Sequence, residues 1–140
     1  RVLVGQAFGL CSPVRAASPT LYLDVLLPAG STWHLPQLAE EMSLYSPQHG
    51  VEINGEVIDS QQMALLPTAE ATRIGAGEQE VRLVVIGGAA LPQPVRMWWN
   101  FVASEPQRIA DAAQRWEAGG FDTIAGETQP IAAPKWPAAR

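Results

Sequence analysis

Apolar and polar side chains alternate along the first two thirds of the chain, a pattern typical of strands. Residues 21–27 show it most clearly, because every second residue is leucine or valine and Pro28 ends the run. The last apolar run stops at Gly87-Gly88, which we interpret as a tight bend. Closely spaced strands without intervening helices predict an antiparallel all-β sandwich or barrel. Further short strands are predicted at residues 2–4, 42–46, 51–58, 64–66 and 81–86.

An Asn-Gly pair at positions 54 and 55 predicts a hairpin within residues 51–58. A two-residue loop would pair Ile53 with Glu56 and mix the two faces. A three-residue loop would pair Ile53 with Val57 and keep apolar side chains together. We therefore predict the second register.

A single helix is predicted from Ser104 to Ala118. Ser104 is a good N-cap, Gln107 completes a capping-box pattern, and Pro106 is acceptable in the first turn. Gly119 supplies the C-terminal stop. These signals together define one short helix after the strand-rich region.

The predicted helix has an apolar face and a charged face. Ile109, Ala113 and Trp116 share the first, while Asp111 and Arg115 form an i,i+4 pair on the second. The helix should therefore pack through its apolar face.

Beyond the helix, prolines predict an extended tail. Pro130, Pro134 and Pro137 cannot donate a backbone hydrogen bond, so packing must hold this segment. Ile131 and Trp136 are the predicted anchors.

Composition narrows the class of protein. The 140 residues are 47% hydrophobic and 16% charged, with a formal net charge of −5. This balance predicts a globular protein and argues against direct nucleic-acid binding, which needs a basic surface. The single cysteine excludes an internal disulfide and fits a reducing, cytoplasmic location. No apolar run is long enough to span a membrane, and a first residue other than Met suggests a fragment or processed product.

Several segments resemble a known family. Residues 30–55 look like the first signature region of a cupin, a small jelly-roll barrel. Trp-Asn-Phe-Val at residues 99–102, the helix after it and Gly-Glu-Thr at residues 126–128 resemble the C-terminal half of pirin-like proteins, which consist of two cupin domains. Residues 1–5 with the following Ser12-Pro13 are similar to the start of the second cupin. The resemblance implies that residues 1–140 form a single C-terminal cupin domain and that the metal-binding N-terminal cupin is absent from this chain.

The resemblance also locates the positions at which cupins hold a metal. In a metal-binding cupin, two histidines, a glutamate and a third histidine surround divalent iron, nickel or manganese. Those positions here are Pro36, Leu38, Met42 or Ser43, and Thr72. Because these side chains are not the expected ligands, we predict no metal and no other cofactor in this domain.

Other reactive side chains have weaker patterns. His34 and His49, helped by Glu40 or Glu41, are an alternative ligand set, but loop histidines bonded to the backbone are the favoured interpretation. Cys11 is interpreted as a buried structural thiol rather than a nucleophile. No catalytic residue is therefore assigned.

Aromatic side chains are the remaining candidates for a pocket or an interface. Strand alternation would send Trp98 and Trp99 to opposite faces, one toward the core and one toward a partner domain. The complete candidate set is Trp33, Tyr45, Trp98, Trp99 and Phe101.

Two classes of function follow. The first hypothesis is a non-catalytic cupin domain that supports the metal-dependent N-terminal cupin of the same protein, which the resemblance implies to be a quercetin 2,3-dioxygenase-like enzyme or a transcription cofactor. The alternative is a metal-free cupin whose mouth, lined by Tyr22, Trp33, Met42 and Tyr45, binds a small ligand. A regulatory protein-interaction module is also open, and an isolated domain is expected to form a homodimer.

Overall fold

The computed structural model describes residues 1–68, 70–129 and 131–135. The chain divides into two compact units, Arg1–Ala90 and Leu91–Arg140. The elements within the described residues are β1 (Val2–Val4), β2 (Gln6–Ala7), β3 (Leu10–Cys11), β4 (Thr20–Leu27), β5 (Thr32–Leu35), β6 (Glu41–Tyr45), β7 (Val51–Ile53), β8 (Glu56–Ile58), β9 (Met63–Leu65), β10 (Thr72–Gly75), β11 (Val81–Gly88), β12 (Arg96–Trp98), β13 (Phe101–Ala103) and α1 (Pro106–Glu117).

The first unit consists of antiparallel strands. A five-stranded sheet has the order β1-β4-β11-β6-β9, and a four-stranded sheet has the order β5-β10-β7-β8. Strands β2 and β3 form a separate hairpin. The predicted antiparallel all-β architecture with one helix is therefore confirmed, with the strands in separate sheets.

The longest pairing in the molecule joins β4 to β11 over eight residues each. Alternation places one face of both strands in the core, as the sequence pattern predicts. Fully burying a leucine or valine side chain contributes ~1.5–3 kcal/mol, so this face carries much of the unit's stability. The most deeply buried apolar residues of the first unit come from both sheets. They are Leu35, Leu44, Val51, Ile74, Val81, Leu83 and Val85.

The β7–β8 hairpin has the register that we did not predict. Ile53 pairs with Glu56, and Asn54 and Gly55 form a two-residue loop. Both loop residues have positive φ, 51° and 92°, the backbone that tight hairpins require and that Asn-Gly adopts easily. Turn geometry therefore decides the register, and Val57 is left 72% exposed.

Gly87 and Gly88 lie inside β11 rather than at a bend. They pair with Met42 and Glu41 of β6 and with the start of β4. A Cβ atom on Gly87 would lie 2.8 Å from the Glu41 carbonyl oxygen, and one on Gly88 would lie 2.7 Å from the Pro19 carbonyl oxygen. Glycine is therefore used here for close backbone approach.

The helix begins at Pro106, and its N-cap lies one residue later than predicted. Glu105, not Ser104, is the N-cap, and its side chain makes no capping hydrogen bond. The residue before a proline is disfavoured from helical conformation, and Glu105 is extended, with φ −98° and ψ 123°. Gln107 therefore does not complete a capping box; its side-chain amide donates to Asp111 Oδ1 at 2.8 Å.

The predicted stop at Gly119 is confirmed. Gly119 has φ +66°, its N–H donates to the Trp116 carbonyl, and the Gly120 N–H donates to the Arg115 carbonyl. This pair of bonds satisfies helix-end carbonyls in the Schellman arrangement. Arg115 does not act through the predicted pair with Asp111, because its Nε donates to the Gly120 carbonyl at 2.7 Å.

The predicted buried face of the helix is also found. Ile109 and Ala113 are buried and Trp116 is half-buried. Within the part of the chain that the structure describes, no helix combines the length and apolar character needed to cross a membrane.

A charged cluster ties the start of the chain to the five-stranded sheet. Arg82 donates to both carboxylate oxygens of Asp24, at 2.8 and 3.0 Å. The Arg1 backbone nitrogen donates to the Asp24 carbonyl at 2.8 Å. The hydrogen bonds from Arg82 lower the pKa of Asp24, and partial burial opposes this effect. The same bonds raise the pKa of Arg82.

The Asp24 pair predicts an acid-sensitive contribution to stability. Because the folded-state pKa of Asp24 is lowered, the contribution should be present at neutral pH and decline as the pH falls below about 4. Asp24→Asn should therefore lose stability at neutral pH and flatten the acid side of the profile, measured by urea unfolding across pH. Arg82→Met should have the same effect, and the double variant should be no less stable than either single variant. Full wild-type acid sensitivity in Asp24→Asn would contradict the assignment.

Gly5 predicts a second stability effect. It has φ +82°, and an added Cβ would overlap the Thr20 carbonyl oxygen. Gly5→Ala should lower the free energy of unfolding by about 3 kcal/mol, because backbone strain and overlap act together. Gly30, with φ +67° and open space around it, is the matched control. Gly30→Ala should cost about 1 kcal/mol, and equal losses in urea unfolding would show that overlap plays no part.

Candidate functional site

The positions corresponding to cupin metal ligands lie along β5, β6, β10 and the segment between β5 and β6. Pro36 is exposed directly after β5, Leu38 is half-buried, and Met42 and Thr72 are buried in β6 and β10. Thr72 pairs with Leu35 at the end of β5. The structure brings two of the four positions into contact, because the Leu38 N–H donates to Met42 Sδ at 3.2 Å.

The donor chemistry of this set does not fit divalent iron, nickel or manganese. Proline and leucine side chains have no donor atom, and a thioether is a soft ligand suited to other metals. The Met42 sulfur already accepts a backbone hydrogen bond. Ser43, the alternative glutamate position, offers only a hydroxyl. Among the described residues, no group of three or more His, Cys, Asp and Glu side chains is placed to hold a metal ion.

The alternative ligand set is not brought together either. His34 is exposed in β5, and His49 is exposed in the loop before β7. The His49 carbonyl accepts a hydrogen bond from Ser46 Oγ at 2.6 Å, so this loop is held through its backbone. Glu40 Oε2 accepts from the Ala90 N–H at 3.0 Å. Both hydrogen bonds involve backbone groups and stabilise the segments that they join.

An open groove of about 460 Å³ lies beside the β2–β3 hairpin. Cys11 contributes to its wall and is exposed, contrary to the prediction of a buried thiol. The reason is that β3 has only two residues and belongs to a small hairpin separate from the two larger sheets. Leu38 and Glu40 also line this groove.

A second open groove, of about 540 Å³, lies against β6, β9 and β11. Met42, Ser43, Leu65 and Ile86 contribute to its lining, which is largely apolar. Leu65 is 85% exposed and gives this groove an apolar rim.

The four side chains proposed to line a ligand-binding mouth do not converge. Met42 is in the core, whereas alternation places Tyr22 and Tyr45 on the opposite face of the five-stranded sheet. Trp33 is half-buried, and its ring centroid lies 6.2 Å from that of Phe8. Small-ligand binding at such a mouth therefore has no geometric support from this set.

In the second unit, the adjacent residues Trp98 and Trp99 do not follow each other along one strand as predicted. Trp98 pairs with Phe101, so Trp99 and Asn100 form the two-residue turn. Trp99 has φ +50°, a left-handed conformation that is uncommon for a bulky residue. Strand alternation therefore does not apply to Trp99.

The tryptophans instead gather with three other aromatic rings. Trp99 lies 4.9 Å from Trp116 of the helix and 5.9 Å from Phe101, measured between ring centroids. Phe101 stacks on Trp98 at 6.2 Å and on Phe121 at 5.7 Å. Each aromatic pair contributes ~0.5–1.5 kcal/mol beyond area burial, whereas one left-handed residue costs ~1–2 kcal/mol. The contacts of Trp99 therefore offset its backbone strain.

Within the described part of the tail, the contact to the helix is made by the backbone of Ile131 and not by its side chain. Trp116 Nε1 donates to the Ile131 carbonyl at 2.8 Å, while Ile131 is 68% exposed. Trp136, Pro130 and Pro137, which the sequence analysis also considered, lie outside the described residues.

Comparison with known proteins places this arrangement in a family. Residues 22–122 match the family model described as the pirin C-terminal cupin domain. The chain belongs to the pirin family. A pirin-like protein of Caulobacter vibrioides is 33% identical over 119 residues, which cover 85% of this chain and 41% of that relative. A pirin-like protein of Solanum lycopersicum is 30% identical over 132 residues, covering 86% of this chain and 44% of that relative.

A solved structure, together with the family match, confirms the cupin-like fold. The crystal structure of a quercetin 2,3-dioxygenase from Acinetobacter baumannii is similar with a TM-score of 0.85 and 25% sequence identity. The match covers 99% of this chain and 48% of the dioxygenase chain. This pirin-family chain therefore spans less than half the length of the relatives it matches.

The bond from Trp116 to the tail can be tested without removing the aromatic ring. Trp116→Phe deletes the Nε1 donor to the Ile131 carbonyl and should cost about 1 kcal/mol for the hydrogen bond, with a further loss from the smaller ring's contacts to Trp99. Limited proteolysis should cut near residue 131 faster than in the wild type. Arg108→Lys, on an exposed helix position, is the control and should leave the cutting rate unchanged. An unchanged rate in Trp116→Phe would show that the bond does not hold the tail.

Proposed function

We propose that this chain is the second cupin domain of a longer pirin-family protein and supports a metal-dependent first cupin domain without performing the chemistry itself. The match to the pirin C-terminal cupin model supports this, as does coverage of 85% of this chain against 41% of a relative. We also predict that residues 1–140 act as one such domain. The predicted location of the protein is the cytoplasm.

The non-catalytic role is supported by the side chains that occupy the four positions at which cupins hold metal ligands. Pro36 and Leu38 provide no donor, and the Met42 sulfur accepts the Leu38 N–H. Thr72 is buried and paired with β5. A domain of this kind contributes shape and buried surface, whereas iron, nickel or manganese would be held by the first domain.

For the whole protein we propose quercetin 2,3-dioxygenase-like activity. Support comes from the similarity in fold to the Acinetobacter baumannii quercetin 2,3-dioxygenase over nearly all of this chain. The dioxygenase chemistry would belong to the first domain, and this chain would act on it through interdomain packing. The partner that this function requires is therefore the N-terminal cupin of the same polypeptide.

Metal analysis tests the division of roles. The 140-residue chain, produced with added iron, nickel and manganese, should contain no stoichiometric metal by plasma mass spectrometry, because its ligand positions lack suitable donors. The longer family protein, treated identically, should retain one bound ion. A tightly held ion in the 140-residue chain, lost in a Met42→Leu/Thr72→Val variant, would contradict the proposal and identify these side chains as ligands.

A further inference from the structure

The β2–β3 hairpin has a residue in its turn that is unfavourable for the backbone conformation there. Phe8 and Gly9 form its two-residue loop, with φ values of 51° and 76°. Tight hairpins of this kind favour Asn, Asp or Gly at the first position, because a bulky residue at positive φ is strained. The β7–β8 hairpin uses Asn54 at the equivalent position, with the same φ of 51°. Phenylalanine therefore occupies position 8 although asparagine or glycine would suit the backbone of the hairpin better.

The Phe8 ring also receives limited cover from its own chain. It is 57% exposed, although its centroid lies 6.2 Å from that of Trp33. Leu10 and Val14 nearby are 60% and 55% exposed. Cys11 and Val14 belong to the wall of the 460 Å³ groove. A strained aromatic tip beside two exposed apolar side chains and a groove is the arrangement expected of a docking surface.

The position of this surface selects its occupant. Ser12 joins the hairpin to β1, because its N–H donates to the Gly5 carbonyl at 2.9 Å and its Oγ donates to the Leu3 carbonyl at 2.6 Å. A domain preceding Arg1 in a longer polypeptide would enter beside β1 and reach Phe8 within a few residues. The relatives have more than half of their length outside the match. Short covalent attachment also gives such a domain a high effective concentration at this surface.

We propose that Phe8, Leu10, Val14 and the groove beside them form the docking surface for the preceding cupin domain of the same polypeptide. The inference rests on the proposed function, since that function supplies the preceding domain. Phe8 would be the central anchor, because an aromatic side chain has few rotatable bonds and loses little freedom on binding.

Hydrogen exchange in two proteins tests the surface. Residues 5–15 should exchange at least about tenfold more slowly in the longer protein than in the 140-residue chain, because docking suppresses local opening. Phe8→Asn creates the Asn-Gly turn already present in β7–β8. It should leave the melting temperature of the 140-residue chain unchanged or raised, and abolish the extra protection in the longer protein. Val57→Thr, at a 72% exposed hairpin position, is the matched control and should leave that protection intact.

Three results would overturn the proposal and leave the proposed function standing. The first is equal exchange of residues 5–15 in both wild-type proteins. The second is a lowered melting temperature of the 140-residue chain in Phe8→Asn, which would assign the ring to packing within the chain. The third is self-association of the 140-residue chain that Phe8→Asn removes while protection in the longer protein persists, which would make a second copy the occupant. The intact mass of the native polypeptide separately tests the proposed function, because a native length of 140 residues overturns both.

Discussion

The pairing of β11 with β4 on one side and β6 on the other is the interaction on which the first unit depends. Leu83 and Val85 on one face of β11 are inaccessible to solvent. The core therefore requires this strand to be paired on both sides, at the centre of the sheet. Gly87 and Gly88 extend the pairing to the end of β11, where side chains would collide with neighbouring carbonyls. The placement of Met42, and hence of the segment between β5 and β6, follows from this central ladder.

The features predicted correctly from the sequence depend on local periodicity. Alternation along β4 identifies its buried face, because side-chain direction in a strand repeats every two residues. The helix stop at Gly119 was predictable since a left-handed residue there costs glycine little. The resemblance to pirins, which rests on segments along the whole chain, likewise agreed with the family match.

The wrong predictions arise where two local preferences compete. Apolar matching favoured Val57 opposite Ile53, but the Asn-Gly turn determined the register. Ser104 has the better capping side chain, yet Pro106 restricts Glu105 to extended backbone and moves the helix start. Trp99 leaves the strand pattern because Phe101 in the same hairpin and Trp116 in the helix stabilise its unusual backbone. The contact with Trp116 is long-range and cannot be read from spacing.

The hydrogen bond from Leu38 to Met42 has a consequence for how cupin domains of this type can evolve. Replacing Met42 by a ligand residue removes the sulfur that accepts the Leu38 N–H before any binding energy is available. Changing Pro36, Leu38 or Thr72 alone adds one donor to a site that needs several. A metal centre at these positions would therefore require several substitutions together, one of which also removes a hydrogen bond that this fold uses.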